Sequence, residues 1–207
     1  LYDNAQLISL YADAYKITKN ENYLQCVEDT INFMNTYLKH ESLGYYSALD
    51  ADSEGEEGLF YTWTLSELQD ILNTEEMAIA EVYFNLKSSG NWENNRNILA
   101  PNQNLKTLAK HFDLSLEAVE SHLNEIKHKL KNERQKRERP GLDNKLITAH
   151  NAMMVKGLVK AYQACGKNDY KIAAIELMNS LINNALDKNY RLKRLINKDH
   201  PNGFIDD

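Results

Sequence analysis

The feature that most constrains this fold is a pair of helix-forming segments that recurs 147 residues further along the chain. Without any gap, identical residue types coincide at Asn4 and Asn151, Ala5 and Ala152, Ala14 and Ala161, Tyr15 and Tyr162, Tyr23 and Tyr170, and Asn32 and Asn179. Both copies consist of a helix, a short polar link and a second helix. Repeated helix pairs must stack on neighbours to bury their apolar faces. The repeat therefore predicts an all-α fold of antiparallel helical hairpins.

Apolar residues recur with the period of an amphipathic helix along most of the chain. In the second helical segment they form a stripe of Tyr23, Val27, Ile31, Met34 and Leu38. The pattern predicts four helix pairs, over residues 4–38, 64–86, 104–137 and 148–187. The link from Thr18 to Glu21 is short, which favours antiparallel neighbours. A total of 8 Gly and 3 Pro suits long helices better than a protein made of tight β-turns.

Residues 43–63 interrupt the helical pattern. Two aromatic-rich runs flank an acidic turn that contains glycine, which predicts a short β-hairpin or a long loop inserted between helix pairs. Directly after this segment, Thr64 and Glu67 have the spacing of a capping box. The next helix is therefore expected to begin at this point.

Charge, hydropathy and cysteine content exclude several classes of partner. The formal net charge of −6 argues against general affinity for nucleic acids or anionic membranes. No stretch approaches the roughly 18 consecutive apolar residues of a membrane span. Cys26 and Cys165 lie far apart on apolar helix faces, which predicts buried free thiols in a reducing compartment such as the cytoplasm. The basic residues between Lys127 and Arg139 alternate with glutamates, as on an exposed helix.

The strongest chemical signal is the acidic segment from Asp50 to Gly58, in which five carboxylates fall within eight residues. Glycoside chemistry needs two carboxylates placed across a sugar and aromatic faces that stack on it. The candidate catalytic groups are therefore Asp50, Asp52, Glu54 and Glu57, and the candidate stacking residues are Tyr61 and Trp63. The alternative is a solvated acidic turn above buried aromatic side chains.

The same segment contains part of a calcium-binding pattern. The first, third, fifth and sixth positions of an EF-hand loop would be occupied by Asp50, Asp52, Glu54 and Gly55, respectively. The twelfth position, where the loop requires a bidentate glutamate, is Tyr61. The remaining histidines form no recognisable pair of metal ligands. We therefore predict neither a metal site nor a cofactor.

An irregular passage supplies further candidates for substrate binding. Asn91, Trp92 and Glu93 combine an amide, an indole and a carboxylate in consecutive positions. Non-helical segments that connect helices commonly form the pockets of such folds. The alternative is that Trp92 anchors a core and that the amides cap turns.

A second polar cluster precedes the repeated helix pair. Asp143 and Lys145 would contribute a carboxylate and a cation to substrate binding, and His150 is a candidate general base. A lone histidine near a helix start is more often structural. Asn151 is a candidate polar contact, but its alignment with Asn4 also favours a structural task at a helix end.

Four segments together resemble the family of YyaL and spermatogenesis-associated protein 20. In chain order they are Leu1–Leu7, Tyr46–Gly58, Gly90–Glu93 and Arg139–Lys145. The resemblance implies a thioredoxin-like domain followed by a six-hairpin (α/α)6 toroid, similar to N-acylglucosamine 2-epimerases and six-hairpin glycosidases. This chain would then be a partial toroid. The thioredoxin-like domain would lie upstream as an intramolecular partner, and the remaining hairpins would lie outside the chain.

The chain departs from the family pattern in two places, and two hypotheses about function remain. Asn144 stands where the family has a second aspartate, and His150 and Ala152 stand where it has tryptophan and glycine. The first hypothesis is a carbohydrate-active domain, glycosidase-like or epimerase-like, that acts on a sugar or sugar derivative. The second is a non-catalytic toroid that binds or supports the thioredoxin-like domain.

Overall fold

A computed structural model describes residues 1–196, which contain eight α-helices and four two-residue β-strands. The helices are α1 (Tyr2–Thr18), α2 (Glu21–Tyr37), α3 (Leu65–Ile71), α4 (Thr74–Phe84), α5 (Leu105–Phe112), α6 (Leu116–Arg134), α7 (Thr148–Cys165) and α8 (Asn168–Asn184). The strands are β1 (Ala48–Leu49), β2 (Asp52–Ser53), β3 (Glu56–Glu57) and β4 (Leu142–Asp143). The predicted all-α fold with a short β insertion is confirmed. None of these eight helices is long and apolar enough to cross a membrane.

Two compact units make up the described chain. The first, called the repeat unit below, consists of Leu1–Leu49 and the described residues from Leu142 onward, and it contains α1, α2, α7 and α8. The second, called the insert unit, is Asp50–Gly141 and contains α3 to α6. The residues that carry the 147-residue repeat therefore fold together, although 92 residues of a different unit separate them along the chain.

A two-stranded sheet lies where the chain leaves and re-enters the repeat unit. β1 pairs antiparallel with β4, so that Ala48 lies opposite Asp143 and Leu49 lies opposite Leu142. Ser47 extends the pairing by donating its N–H to the carbonyl of Asp143 at 3.2 Å. Periodicity cannot identify a two-residue strand, and sequence analysis did not predict β4.

The helix bounds confirm the repeat. α8 begins and ends 147 residues after the corresponding ends of α2. The helices α1 and α7 also end at matching positions, and each is followed by a residue in the left-handed conformation: Lys19 with φ of 56° and Gly166 with φ of 73°. A left-handed residue ends a helix because its N–H bonds back to the last turn, as Lys19 does to the carbonyl of Tyr15. The two hairpins therefore turn by the same local geometry.

The centre of the repeat unit is the contact between α1 and α7, the first helices of the two copies. Ala5, Ile8 and Ala12 are fully buried along one face of α1. Gly157 of α7 permits the close approach, because a Cβ there would lie 3.0 Å from the carbonyl oxygen of Ala5 and 3.3 Å from Ile8 Cγ2. The repeat counterpart of Gly157 is Leu10, which is exposed. Only the second copy of the repeat therefore needs a small residue at this position.

The insert unit has a separate apolar core formed by α3 to α6. Its fully buried side chains include Leu68, Ile79, Leu108 and Ile126. α3 begins at the predicted capping box: Thr64 Oγ1 accepts from the N–H of Glu67 at 3.2 Å, and the N–H of Thr64 donates to the Glu67 carboxylate at 2.7 Å. These reciprocal bonds satisfy two N–H groups that a helix start otherwise leaves unpaired.

A second capping box, between Asn73 and Glu76, begins α4 and also connects it to α6. Glu76 is 2% exposed, and its two carboxylate oxygens accept from Lys129 Nζ at 2.6 and 2.7 Å. Burial alone would raise the pKa of Glu76. The bonds from Lys129 and from the N–H of Asn73 outweigh burial, so the pKa lies below its ordinary value of 4.5.

Acidification is expected to destabilise the insert unit partly through Glu76. A carboxyl group whose pKa is lower in the folded state stabilises that state above its unfolded pKa, and the contribution is lost as pH falls through the folded pKa. Glu76→Gln should therefore reduce the loss in free energy of unfolding between about pH 7 and about pH 3, measured by urea denaturation. Glu81→Gln, an exposed position on the same helix, is the control. Equal pH dependence in both variants would contradict the prediction.

Two expectations about side-chain environment were wrong. Cys26 is exposed and Cys165 is partly exposed, so neither is the fully buried thiol that the apolar helix faces predicted, and neither indicates a compartment. The basic run is not one exposed helix, because α6 ends at Arg134. Arg137, beyond that end, packs with its guanidinium 3.8 Å from the centre of the Trp63 ring. Alternating charge did not reveal this burial.

Candidate functional site

The acidic segment forms the predicted hairpin. β2 pairs antiparallel with β3, with Asp52 opposite Glu57 and Ser53 opposite Glu56. The two residues at the turn have positive φ, 54° at Glu54 and 81° at Gly55. Two-residue turns of this kind match the right-handed twist of the strands they connect. The acidic hairpin, defined here as residues 50–58, is therefore a regular and locally encoded structure.

The candidate catalytic carboxylates all lie in exposed residues of the acidic hairpin: Asp50, Asp52, Glu54 and Glu57, together with Glu56. The backbone beneath them is held by Trp92, whose Nε1 donates to the carbonyl of Glu57 at 3.2 Å, and by Ser53 Oγ, which donates to the carbonyl of Glu138 at 2.7 Å. Trp92, a candidate from the irregular passage, thus lies against the hairpin. The hairpin presents its carboxylates to solvent, and none of them lines the groove described below.

The calcium alternative does not fit this geometry. An EF-hand loop wraps its ligands around one ion, whereas Asp52 and Glu57 here lie on paired strands with Gly55 at the tip. Among residues 1–196, no group of three or more His, Cys, Asp or Glu side chains is arranged to hold a metal ion.

Tyr61 and Trp63 lie together in a groove of about 510 Å³ on the insert unit. This surface is called the α6 groove below, because α6 forms one of its walls. Its lining residues are Tyr61, Trp63, Phe84, Ile98, Leu99, Pro101, Lys127, Leu130, Lys131 and Arg134. Tyr61 is 38% exposed and Trp63 is 2% exposed, so Tyr61 is partly open to solvent at the groove and Trp63 is buried. The structure therefore separates the aromatic candidates from the acidic ones.

A cluster of Glu67, Arg96 and Arg137 fixes the segment that carries the two aromatic residues. Arg137 donates to the carbonyls of Leu59 at 3.0 Å and Thr62 at 2.8 Å, and to Glu67 Oε1 at 3.1 Å. Its guanidinium also covers the Trp63 ring. One side chain thus binds the backbone on both sides of Tyr61 and packs on Trp63.

Arg96 completes this cluster from the irregular passage. Its Nε donates to Thr62 Oγ1 at 2.8 Å, and its Nη2 donates to the carbonyl of Thr62 at 2.7 Å and to Glu67 Oε2 at 3.0 Å. Burial alone would raise the pKa of Glu67, but the N–H of Thr64 and the two guanidinium groups outweigh it and lower that pKa. Sequence analysis missed this cluster because its members are far apart in sequence and follow no helical period.

The remaining candidates of the irregular passage are committed to its backbone or exposed. Asn91 Nδ2 donates to the carbonyl of Ile98 at 3.2 Å, and its Oδ1 accepts from the N–H of Ile98 at 2.7 Å. Glu93 is exposed and begins a 3-10 turn over Glu93–Asn95. The structural anchor here is Asn97, fully buried, whose side chain bonds both ways with the backbone of Lys87.

The other four candidates belong to the repeat unit. Asp143 and Lys145 form an ion pair, with Lys145 Nζ 2.9 Å from Asp143 Oδ2. The ring of His150 lies 5.0 Å from the ring of Tyr2, measured between centroids. Asn151 is fully buried, and its amide bonds to the backbone of Tyr45 in both directions, at 2.7 and 3.0 Å. The predicted site residues are thus divided between the two units.

Comparison with known proteins agrees with the resemblance seen in the sequence. No family model matches the chain. Over 76% of its residues, the chain is 33% identical to human spermatogenesis-associated protein 20. Over 80% of its residues, it is 32% identical to the mouse protein. An uncharacterised protein of Caenorhabditis elegans is 30% identical over 95% of the chain.

The chain spans only part of each of these relatives: 23% of the human protein, 24% of the mouse protein and 30% of the nematode protein. The matched part includes most of the chain, and the named mammalian relatives agree with the family indicated by the sequence motifs. Over most of its own length the chain is therefore similar to part of spermatogenesis-associated protein 20.

Proposed function

We propose that the chain is part of a carbohydrate-active domain, and that the α6 groove binds a sugar or sugar derivative. The observation that carries this proposal is the exposed ring of Tyr61 on the wall of a cavity of about 510 Å³. Ligand pockets commonly have volumes of about 300–1,000 Å³, with mostly apolar walls and a few polar groups. An aromatic face on such a wall is suited to stacking on the apolar face of a sugar ring.

A glycosidase-like or epimerase-like reaction would require acid–base groups at the bound sugar. The candidates Asp50, Asp52, Glu54, Glu57 and His150 do not line the α6 groove. The proposed function of the insert unit is therefore ligand binding. Catalysis by these five side chains is proposed from their residue types alone.

The architecture proposed for the complete domain is an (α/α)6 toroid, in which the hairpins α1–α2 and α7–α8 would be two members. The matched bounds of the two hairpins support it. A stripe along α8 supports it as well, because four apolar side chains there are each about half exposed: Ile172, Ile175, Met178 and Ile182. A further helical hairpin packed on this stripe would bury it.

Tyr61→Ala is expected to weaken the binding of sugars by about tenfold, because it removes the stacking surface. Tyr61→Phe keeps the ring and should bind within about threefold of the unchanged chain. Isothermal titration calorimetry measures both, with a panel of neutral hexoses, N-acetylated hexosamines and hexose phosphates. If no member of the panel binds, or if Tyr61→Ala binds as tightly as the unchanged chain, the proposal is wrong.

The exposure of the acidic hairpin favours a second candidate, a non-catalytic domain that binds a thioredoxin-like domain through these carboxylates. A variant with Asp52→Asn and Glu57→Gln separates the two. As a docking surface, the hairpin is required for affinity to a thioredoxin-like domain and irrelevant to sugar binding. As a catalytic element, it is required for turnover of any bound sugar. Titration with both partners, and a turnover assay on each sugar that binds, distinguish these outcomes.

A further inference from the structure

The α6 groove has a cationic wall. Lys127, Lys131 and Arg134 follow one another at intervals of four and three residues, so they share one face of α6. All three line the groove, with the buried Leu130 between them. None of the ten lining residues is acidic. This concentration of positive charge is notable in a chain whose formal net charge is −6.

The neighbouring lysines show how this part of the chain neutralises cations elsewhere. Lys129 pairs with the buried carboxylate of Glu76, and Lys136 pairs with Glu133. Across residues 1–196, no carboxylate lies within ion-pair distance of Lys127, Lys131 or Arg134. Like charges at these spacings repel one another. A bound anion would remove that repulsion.

The helix dipole accounts for only part of this arrangement. Cations in the last turn of a helix interact favourably with its carbonyl end, which suits Lys131 and Arg134. The effect falls off within one turn, and Lys127 lies almost two turns before the end of α6. The dipole also does not explain why the wall of the groove lacks carboxylates.

Aromatic rings hold the third cation in place. The guanidinium of Arg134 lies 5.3 Å from the centre of the Tyr61 ring and 5.6 Å from that of Phe60. These contacts reduce the freedom of a long side chain and leave its N–H groups available to a ligand. The stacking ring and the cation that would meet an anion are therefore adjacent.

We infer that the ligand of the α6 groove is a phosphorylated sugar, whose phosphate is held by Lys127, Lys131 and Arg134 while its ring packs on Tyr61. The inference rests on the proposed function and specifies its substrate class. Arginine presents several donors to phosphate oxygens, and the two lysines act as point charges. The adjacent apolar wall of Ile98, Leu99 and Pro101 accommodates the uncharged part of the ligand.

The test compares a phosphorylated sugar with its sugar alone and with phosphate alone. Glucose 6-phosphate, glucose and inorganic phosphate are titrated separately into the 207-residue chain by isothermal titration calorimetry. The phosphorylated sugar should bind at least about tenfold more tightly than glucose. The affinity for glucose 6-phosphate should fall as the salt concentration is raised, whereas the affinity for glucose should not, because only the phosphorylated sugar is charged.

A matched pair of variants assigns the effect to the groove. Lys127→Gln with Lys131→Gln should lower the affinity for glucose 6-phosphate to within about threefold of that for glucose. Lys106→Gln with Lys110→Gln removes the same charge at the same spacing from exposed positions on α5, outside the groove, and should leave the affinity unchanged. Equal effects of the two double variants would overturn the inference.

The remaining outcomes separate this inference from the proposed function. Equal binding of glucose and glucose 6-phosphate overturns the inference and leaves sugar binding in place. If inorganic phosphate binds as tightly as glucose 6-phosphate and glucose does not bind, the anion site stands and sugar binding falls. Absence of binding by all three compounds overturns the inference, and it overturns the proposed function as well if no other member of the sugar panel binds.

Discussion

Arg137→Ala is expected to lower the free energy of unfolding of the insert unit by about 3–5 kcal/mol. The guanidinium of Arg137 is mostly buried, and it donates to the carbonyls of Leu59, Phe60 and Thr62 and to Glu67. Removing it leaves three carbonyl groups and a carboxylate with fewer donors, and it uncovers the Trp63 ring. Urea denaturation followed by circular dichroism measures the loss.

The matched control for this change is Lys136→Ala. Lys136 is the preceding residue and pairs only with Glu133 on the surface, so its removal should cost less than about 1 kcal/mol. Arg137→Lys keeps the charge and loses the planar guanidinium group. Its loss in free energy of unfolding should lie between those of Arg137→Ala and Lys136→Ala. Hydrogen exchange should show the loss of protection in residues 59–63 for Arg137→Ala. A loss no larger than that of Lys136→Ala would disprove the structural role.

Asn151→Ala is expected to destabilise the repeat unit by about 2–4 kcal/mol. The Asn151 amide accepts from the N–H of Tyr45 and donates to its carbonyl, and it also donates to the carbonyl of Ile147 at 2.9 Å. Alanine would leave the N–H and the carbonyl of Tyr45 without these partners, and Tyr45 is itself buried. Far-ultraviolet circular dichroism across a urea titration measures the change in free energy.

The repeat supplies the control for this variant. Asn4 occupies the corresponding position of α1, lies in a helix of the same unit and makes no side-chain hydrogen bond in the described structure. Asn4→Ala should therefore change stability by less than about 0.5 kcal/mol. Comparable losses at both positions would show that the asparagine contributes through the helix start, as the sequence alignment suggested, and not through its bonds to Tyr45.

The helical parts of this fold could be predicted because their signals are local. Apolar spacing located the helix pairs, and the capping box at Thr64 located the start of α3. The acidic run with glycine predicted a short hairpin or a loop, and the structure shows a hairpin that turns at Glu54 and Gly55. The repeat further predicted matching hairpins, whose bounds agree to the residue in α2 and α8. Each of these signals lies within about one helix or turn of what it determines.

The candidate site was harder to predict because it depends on contacts between distant residues. Tyr61 and Trp63 were grouped by residue type and both line the α6 groove, but the partners of their segment, Arg96 and Arg137, lie far along the chain. Composition also could not distinguish an exposed cation from a mostly buried one in the same basic run. The burial of Asn151 likewise depends on the backbone of Tyr45, 106 residues away.

The division of the chain has a consequence for optical spectroscopy. Both tryptophans of the sequence, Trp63 and Trp92, belong to the insert unit, whereas the repeat unit contains tyrosine as its strongest chromophore. Fluorescence excited selectively at the indole band therefore reports on the insert unit alone, without labels or mutations. Emission from tyrosine, read after Trp63→Phe and Trp92→Phe, would then follow mainly the other unit. The melting of each unit is thus separately observable, the insert unit in the unchanged chain and the repeat unit in the double variant.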